Sequence, residues 1–385
     1  MKWVNSDNNI PIKSWCRDIE PGAMEQVANL ANLPFAYRHV AIMPDCHQGY
    51  GMPIGGVLAT RGVIIPNAVG VDIGCGMRAV KTDYPAACVN PAAVKKIIGQ
   101  AREVIPVGFE HHSEDKEWEE FDFAPDVPII QQELASARRQ LGTLGGGNHF
   151  IEIQAGSDGR VWLMIHSGSR NFGLKIAKAY HEKAKVLCEK WHSNIPHKDL
   201  SFLPLGIPDT CDYISAMKYA LDFAQANRSV MMGKFKDIFT SMFTCEFCED
   251  IDVHHNYARM ENHSGQNVMV HRKGATSAKK GEFGIIPGSQ GTASYIVRGL
   301  GNSESFMSCS HGAGRKMGRK QAQRDLDLDE QQRQLDDAGV VHSIRNVSDL
   351  DEAPGAYKDI DEVMDAQRDL VEIVVKLKPL GVLKG

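Results

Sequence analysis

Four segments of the 385-residue sequence set metal-binding side chains beside glycine or at the end of an apolar run. Asp72 and Cys75 stand in V-G-V-D-I-G-C-G-M, and Asn148 and His149 follow Gly145–Gly147. His166 heads H-S-G-S-R, and His254 and His255 precede Asn256. A thiol, a carboxylate and several imidazoles suit a borderline divalent ion, with oxygen ligands tilting towards Mn2+ and a thiolate towards Zn2+. A single buried cysteine is ordinarily a small hydrophobe and a single histidine an ordinary hydrogen-bonding group. The weight therefore lies on their joint placement.

A fifth segment adds a nucleophile. G-I-I-P-G-S-Q-G-T-A-S-Y is followed by S-C-S-H-G-A-G-R, and small residues around Ser289, Ser294 and Gly312–Gly314 could turn backbone N–H groups towards an anion. No GK[ST] follows the glycines, so this is not a Walker A loop. His311 would lie beside the bound phosphate, where a neutral imidazole can attack phosphorus. The plain alternative is a loop histidine bonded to backbone. Residues 271–324 carry ten Lys/Arg against two Glu, a local +8 that leaves −13 for the rest of a chain whose total is −5. The total alone argues against a nucleic-acid partner, whereas the local excess reads as a polyanion footprint.

These residues need rigid support. Glycine clusters at 49–56, 70–76, 142–147, 288–291 and 312–318 adjoin apolar stretches such as V-G-V before Asp72, V-W-L-M-I before His166 and F-G-I-I before Pro287. The pattern predicts strands ending in tight turns. Three/four spacing of apolar residues predicts helices over 91–105, 174–191, 213–243 and 359–377, and an apolar L-K-P-L-G-V-L-K-G end packed into the body. Acidic stretches 114–126 and 325–337 read as surface excursions, with a solvated helix as the alternative for the second. The expected architecture is α/β (mixed α+β), one large domain over residues 1–385 with its site built from Gly-rich turns at strand ends.

Composition sets the surroundings. Nine cysteines, an odd number, are too few for a disulfide scaffold, no apolar run spans a bilayer, and the N-terminal residues carry no signal-peptide h-region, so a cytoplasmic protein without a membrane partner is expected. Cys245 and Cys248 form a CxxC lacking a second pair at zinc-ribbon spacing and read as core or surface. His111 and His112 read as solvated, and Cys46 as a packed thiol or a neighbour of the metal residues.

Taken together, P-D-C-H-Q-G-Y-G-M-P-I-G-G, V-G-V-D-I-G-C-G-M, G-G-G-N-H-F-I-E, H-S-G-S-R, H-H-N-Y, P-G-S-Q-G-T-A-S, S-C-S-H-G-A-G-R and V-L-K-G resemble the RtcB family of RNA-splicing ligases, from about residue 35 to Gly385 and closest to its bacterial branch. The resemblance implies a GTP-dependent ligase with two Mn2+, joining an RNA 3′-phosphate or 2′,3′-cyclic phosphate to a 5′-hydroxyl. It implies metal ligation by Asp72, a bridging Cys75, His149, His166 and His255, guanylylation of His311, and Asp45 orienting the His311 ring. Guanylate contacts would come from Asn148, His149, Phe150, Ile151, Glu152, His255, Asn256, Pro287, Gly288, Ser289, Gln290, Ser294, His311, Gly312, Ala313, Gly314 and Lys384. Arg170 would face RNA phosphates. An archease-type activator or a release-factor-like protein are partners the family suggests.

The sequence departs from the family's usual pattern at Cys46 (commonly Val), Asn171 (Gly), Gln290 (Met) and Gly318 (Ser). The implied role is RNA repair or tRNA splicing, with a branch specialised for cleaved ribosomal or transfer RNA as the variant. Rival readings are a metal-dependent cyclic phosphodiesterase indifferent to GTP, and an RNA-binding protein without turnover.

Overall fold

Two antiparallel-dominated sheets meet along the line where the reactive residues lie. A computed structural model describes residues 1–385. The seven-stranded sheet runs, in spatial order, Phe247–His254, Gly76–Pro85, Arg160–Ser167, Phe150–Gly156, Val371–Lys384, Ser294–Gly299 and Phe283–Ile286, antiparallel throughout. The six-stranded sheet runs Trp3–Asn5, Ile12–Ser14, Ala36–Tyr50, Met52–Thr60, Gln266–Lys273 and Asn256–His263, with one parallel pairing. Strands Phe247–His254 and Asn256–His263 belong to different sheets and are separated only by His255, which therefore sits at the junction.

Alternation along the strands sorts side chains between two cores. Ile151, Ile153, Leu163 and Ile165 pack on one face of the seven-stranded sheet against Val94, Ile97 and Ile98 of helix Pro91–Val104 and Phe235 and Phe239 of helix Pro208–Thr240. Phe150, Trp162 and Met164 fill the opposite face with Ile285, Ile296 and Leu377. A separate core joins helices Pro128–Gln140, Arg170–Lys190 and Pro208–Thr240. The result is a mixed α/β domain in which no helix is long and apolar enough to cross a membrane.

Two local expectations are overturned. The predicted helix over 359–377 covers only Ile360–Ala366, and Val371–Lys384 is instead a 14-residue strand. V-E-I-V-V is rich in β-branched residues, and the strand fills the gap between Phe150–Gly156 and Ser294–Gly299, so pairing on both sides outweighs the helical spacing. V-G-V before Asp72 is not a strand: Pro66–Val69 forms a helical turn, and the strand begins after the site residues, at Gly76. The Cys46 thiol packs in a core with Val27, Leu30 and Met52. Cys245 is half-buried and Cys248 exposed. His111 is exposed and His112 half-buried, and the second acidic stretch forms helix Leu328–Asp337, anchored by buried Leu335.

Candidate active site

Four segments that the chain separates by up to 183 residues converge at the sheet junction. Cys75 Sγ lies 3.2 Å from His166 Nε2 and 3.5 Å from His149 Nε2, and all three side chains are buried. Asp72 Oδ2 is 3.2 Å from His149 Nε2, and His255 Nε2 is 3.4 Å from His166 Nε2. The donors thus form two pairs, Asp72–His149 and His166–His255, flanking one sulfur. His254 points elsewhere, its Nδ1 3.1 Å from the Gly74 carbonyl.

Helix Pro208–Thr240 holds these segments in place. Asn227 Oδ1 accepts from the Gly142 and Thr143 amides, while its Nδ2 donates to the carbonyls of Thr143 and Gly168 and to Ser167 Oγ. Arg228, fully buried and paired with Asp252, donates from one nitrogen to the carbonyls of Gly74 and Ser167, each at 3.0 Å. One helical turn therefore ties down the loops that carry Asp72, Cys75, His149 and His166. Asn256 adds a brace, donating to the Asp72 carbonyl and accepting from the Gly274 amide. Close approach requires glycine at two positions: a Cβ on Gly168 would collide with the Asp72 carboxylate, and one on Gly314 (φ 75°) with the Asp45 carbonyl.

The cluster's chemistry fits a divalent cation. His166 Nδ1 donates to the Asn148 carbonyl at 3.0 Å, which leaves Nε2 as an acceptor facing Cys75 and His255. Burial, reinforced by Asp72, pushes the Cys75 thiol well above its usual range, and burial, followed by His149 and His311, pushes His166 well below. Neutral imidazoles are ready ligands, and a cation reverses the penalty on the thiolate.

His311 follows the short strand Ser308–Ser310, and its ring centroid is 4.8 Å from that of His255. Fully buried Asp45 holds it twice through Oδ2, which accepts from His311 Nδ1 at 2.6 Å and from the His311 amide at 3.1 Å. The Nδ1 side is thereby occupied, and Nε2 has no partner within the protein. His311 opens onto a cavity of about 1040 Å³ that also exposes Asp72, Cys75, His166 and His255.

Beyond His311 this cavity is lined by Asn148, Phe150, Glu152, Asn256, Pro287–Gln290, Gly312–Gly314 and Lys384. Three of the residues nominated as guanylate contacts do not line it, and one of them, His149, lines a second cavity instead. Ile151 is fully buried in the opposite core, because alternation along its strand turns Phe150 and Glu152 to the cavity and Ile151 away. Ser294 is buried, and its hydroxyl is engaged by the Gly288 amide and Gln154. The anion nest is also narrower than expected: the Ser289 amide donates to Thr292 Oγ1, and the Ala313 amide to the Pro287 carbonyl. The amides of Gly312 and Gly314 remain free.

Several lining residues carried no readable signal. Buried Glu352 accepts from Lys384 at 2.7 Å, from Arg315 at 3.2 Å and from Tyr357. Burial pushes this carboxyl up, but Lys384, Tyr357 and Arg315 more than reverse the effect and hold it below the usual range. Glu152 has no such cation in contact, and burial pushes it to about 8. Lys273, buried and donating to the carbonyls of Tyr50 and Asn67, is pushed by burial to about 7. Glu352 comes from a short 3-10 helix in an unremarkable acidic stretch, and only the fold brings it to Lys384.

Arg170 sits elsewhere, on a second cavity of about 1280 Å³ that shares Asp72, Gln290, Arg319, Glu352 and Lys384 with the first. Its Nε donates to Thr143 Oγ1 at 2.8 Å and one terminal nitrogen to the Gly108 carbonyl at 3.0 Å.

The family described as "tRNA-splicing ligase RtcB" matches residues 26–126 and 119–385. Similar proteins include "RNA-splicing ligase RtcB1" of Escherichia coli ATCC 25922, 39% identical over 98% of both chains, and "RNA-splicing ligase RtcB" of Escherichia coli K12, 38% identical over 98% of both. "tRNA-splicing ligase RtcB" of Pyrobaculum aerophilum is 34% identical over 94% of this chain and 91% of its own. With nearly the whole sequence matched and a thiol–imidazole cluster beside a carboxylate-held histidine, the chain belongs to the RtcB family of RNA-splicing ligases.

Proposed function

We propose that this protein is a GTP-dependent RNA ligase that joins a 3′-phosphate or 2′,3′-cyclic phosphate end to a 5′-hydroxyl end through a guanylylated His311. The observation that carries the reading is the adjacency of His311, gripped at Nδ1 by Asp45, to Asp72, Cys75, His166 and His255 in one cavity, with His149 against Cys75 and Asp72. Asp72 and His149 on one side of the Cys75 sulfur, and His166 and His255 on the other, would hold two Mn2+. Bound there, the ions supply positive charge that neutralises phosphate oxygens and leaving groups. The site so formed is built from Gly-rich turns at strand ends, where side chains are held by the sheets and ligands reach backbone amides.

The chain's own residues do the rest. Asp45 keeps the His311 proton on Nδ1, so that Nε2 presents its lone pair to the α-phosphorus of GTP. The N–P bond forms as pyrophosphate leaves. Glu152 faces the cavity with acceptor oxygens that suit the N1–H and exocyclic amine of guanine, and Phe150 supplies an apolar edge beside it. The free amides of Gly312 and Gly314 face the phosphate. An oxygen of the RNA 3′-phosphate then attacks the guanylate phosphorus and His311 leaves, giving an RNA-3′-pp-G end. Finally the 5′-hydroxyl attacks the RNA phosphorus and GMP leaves. A cyclic phosphate is opened by hydrolysis beforehand. Capping is needed because a phosphate monoester is a poor electrophile, whereas GMP is a good leaving group.

RNA repair or tRNA splicing is the proposed role, in line with the names of the similar proteins. Incubation with α-labelled GTP and Mn2+ should place acid-labile label on the protein, and with RNA ends should yield a joined product. An unlabelled wild type, or a His311→Ala variant that still labels, would refute the mechanism. Cyclic-phosphate opening that ignores both GTP and His311 would favour a phosphodiesterase instead.

A further inference from the structure

We propose that the second cavity is the track of one single-stranded RNA end and that Phe109 is its base-stacking platform. The inference rests on the ligase reading above and extends it to how the substrate is gripped. Phe109 is completely exposed (102%) on the rim of this cavity. Its backbone is nevertheless pinned: the Gly108 amide donates to the Gly145 carbonyl at 3.0 Å, Arg170 donates to the Gly108 carbonyl, and the Glu110 amide closes a turn on Val107. An aromatic ring held out by a fixed backbone offers a stacking face with little ordering left to do on binding.

Cations outnumber carboxylates along this cavity. Lys95 and Arg102, seven residues apart on the exposed face of helix Pro91–Val104, line the cavity with Arg170 and Arg345, and none of the four forms an ion pair. The acidic groups there are mostly engaged already. Asp349 accepts from the amides of Arg345 and Asn346, Glu352 is bound by Lys384, and Asp72 faces His149, while Asp349 and Asp351 form no ion pair. Unpaired cations flanking an exposed aromatic suit a chain of phosphates with unstacked bases. The cavity leads to Asp72 and His149, so a strand lying in it would deliver its terminus to the metal-type cluster, while the first cavity keeps the nucleotide.

The ring contributes no burial to the free protein, so Phe109→Ala should fold with wild-type stability. Binding is read by fluorescence anisotropy with two labelled single-stranded RNAs, one ending in a 3′-phosphate and one in a 5′-hydroxyl. Phe109→Ala is expected to weaken at least one of them about fivefold or more, with Phe109→Trp restoring it. Lys95→Glu with Arg102→Glu should lower the salt slope of log K by about two. Label uptake from GTP separates the two ideas: a wild type that takes no label sinks the ligase reading, and RNA binding then judges Phe109 by itself. Wild-type affinity of Phe109→Ala for both RNAs, or no RNA affinity in the wild type, would overturn the proposal.

Discussion

Replacing Asp45 by Asn tests how His311 is prepared. Asp45 is fully buried, and its Oδ2 accepts both the His311 Nδ1 proton and the His311 amide, while Oδ1 has no partner. With two donors converging on one oxygen, an asparagine must turn its carbonyl to His311 and its NH2 to the Oδ1 side, where nothing accepts. The geometry at His311 then survives and the charge is lost. A hydrogen bond to a charged group contributes about 1.5–3 kcal/mol, which corresponds to about 10- to 150-fold in rate. Were the amide to flip, Nε2 would carry the proton, and the loss would approach the roughly 10⁴-fold effect of a wrong tautomer in triad enzymes. The assay is single-turnover label transfer from α-labelled GTP, with GTP affinity measured separately to confirm that the pocket is intact. Guanylylation of Asp45→Asn within about threefold of wild type would refute the assigned role.

Two further outcomes follow from the same geometry. Cys75→Ser removes the sulfur shared by both donor pairs, so it should lose the Mn2+ that wild type retains by elemental analysis; it should also lose the Mn2+-induced stabilisation, about 2.7 kcal/mol at a hundredfold excess over Kd. An unchanged response in the variant would place the ions elsewhere. Glu152, pushed by burial to about 8, keeps its proton in the native state between about pH 5 and 8 while the unfolded chain has lost it. The native state then binds more protons, so stability falls as pH rises through that window, and Glu152→Gln should flatten the slope of denaturation midpoint against pH. GTP affinity should rise towards pH 8 in wild type alone, because guanine's donors need the ionised carboxylate; a variant that keeps the wild-type pH profile would exclude Glu152 from the site.

Charge shows where the sequence misleads. The +8 over residues 271–324 is not one surface. Arg272 is buried against Glu261, Arg298 pairs with Glu372, and Arg324 with Asp325. Lys273, Arg315, Lys316 and Arg319 line the first cavity, and the second draws Lys95, Arg102, Arg170 and Arg345 from across the chain. Linear charge density cannot tell a buried pair from a solvated face, since the partner is chosen by packing.

The sequence by itself determined the family and offered the side chains that could bind a metal. A cysteine, an aspartate and histidines beside glycine declare ligand types without a fold, because donor atoms are properties of residues and a turn's need for glycine is local. Helices over 91–105, 174–191 and 213–243 were legible to within a few residues for the same reason, since amphipathic spacing is local too. Tertiary structure alone decided the rest. It made 371–384 a strand by supplying partners on both sides, turned Ile151 into the core by strand alternation, and brought Glu352 to Lys384. It also set Asn227 and Arg228 behind the metal-type loops, the supports that give the donors their positions. Such contacts join residues far apart in the chain, and no local pattern encodes them.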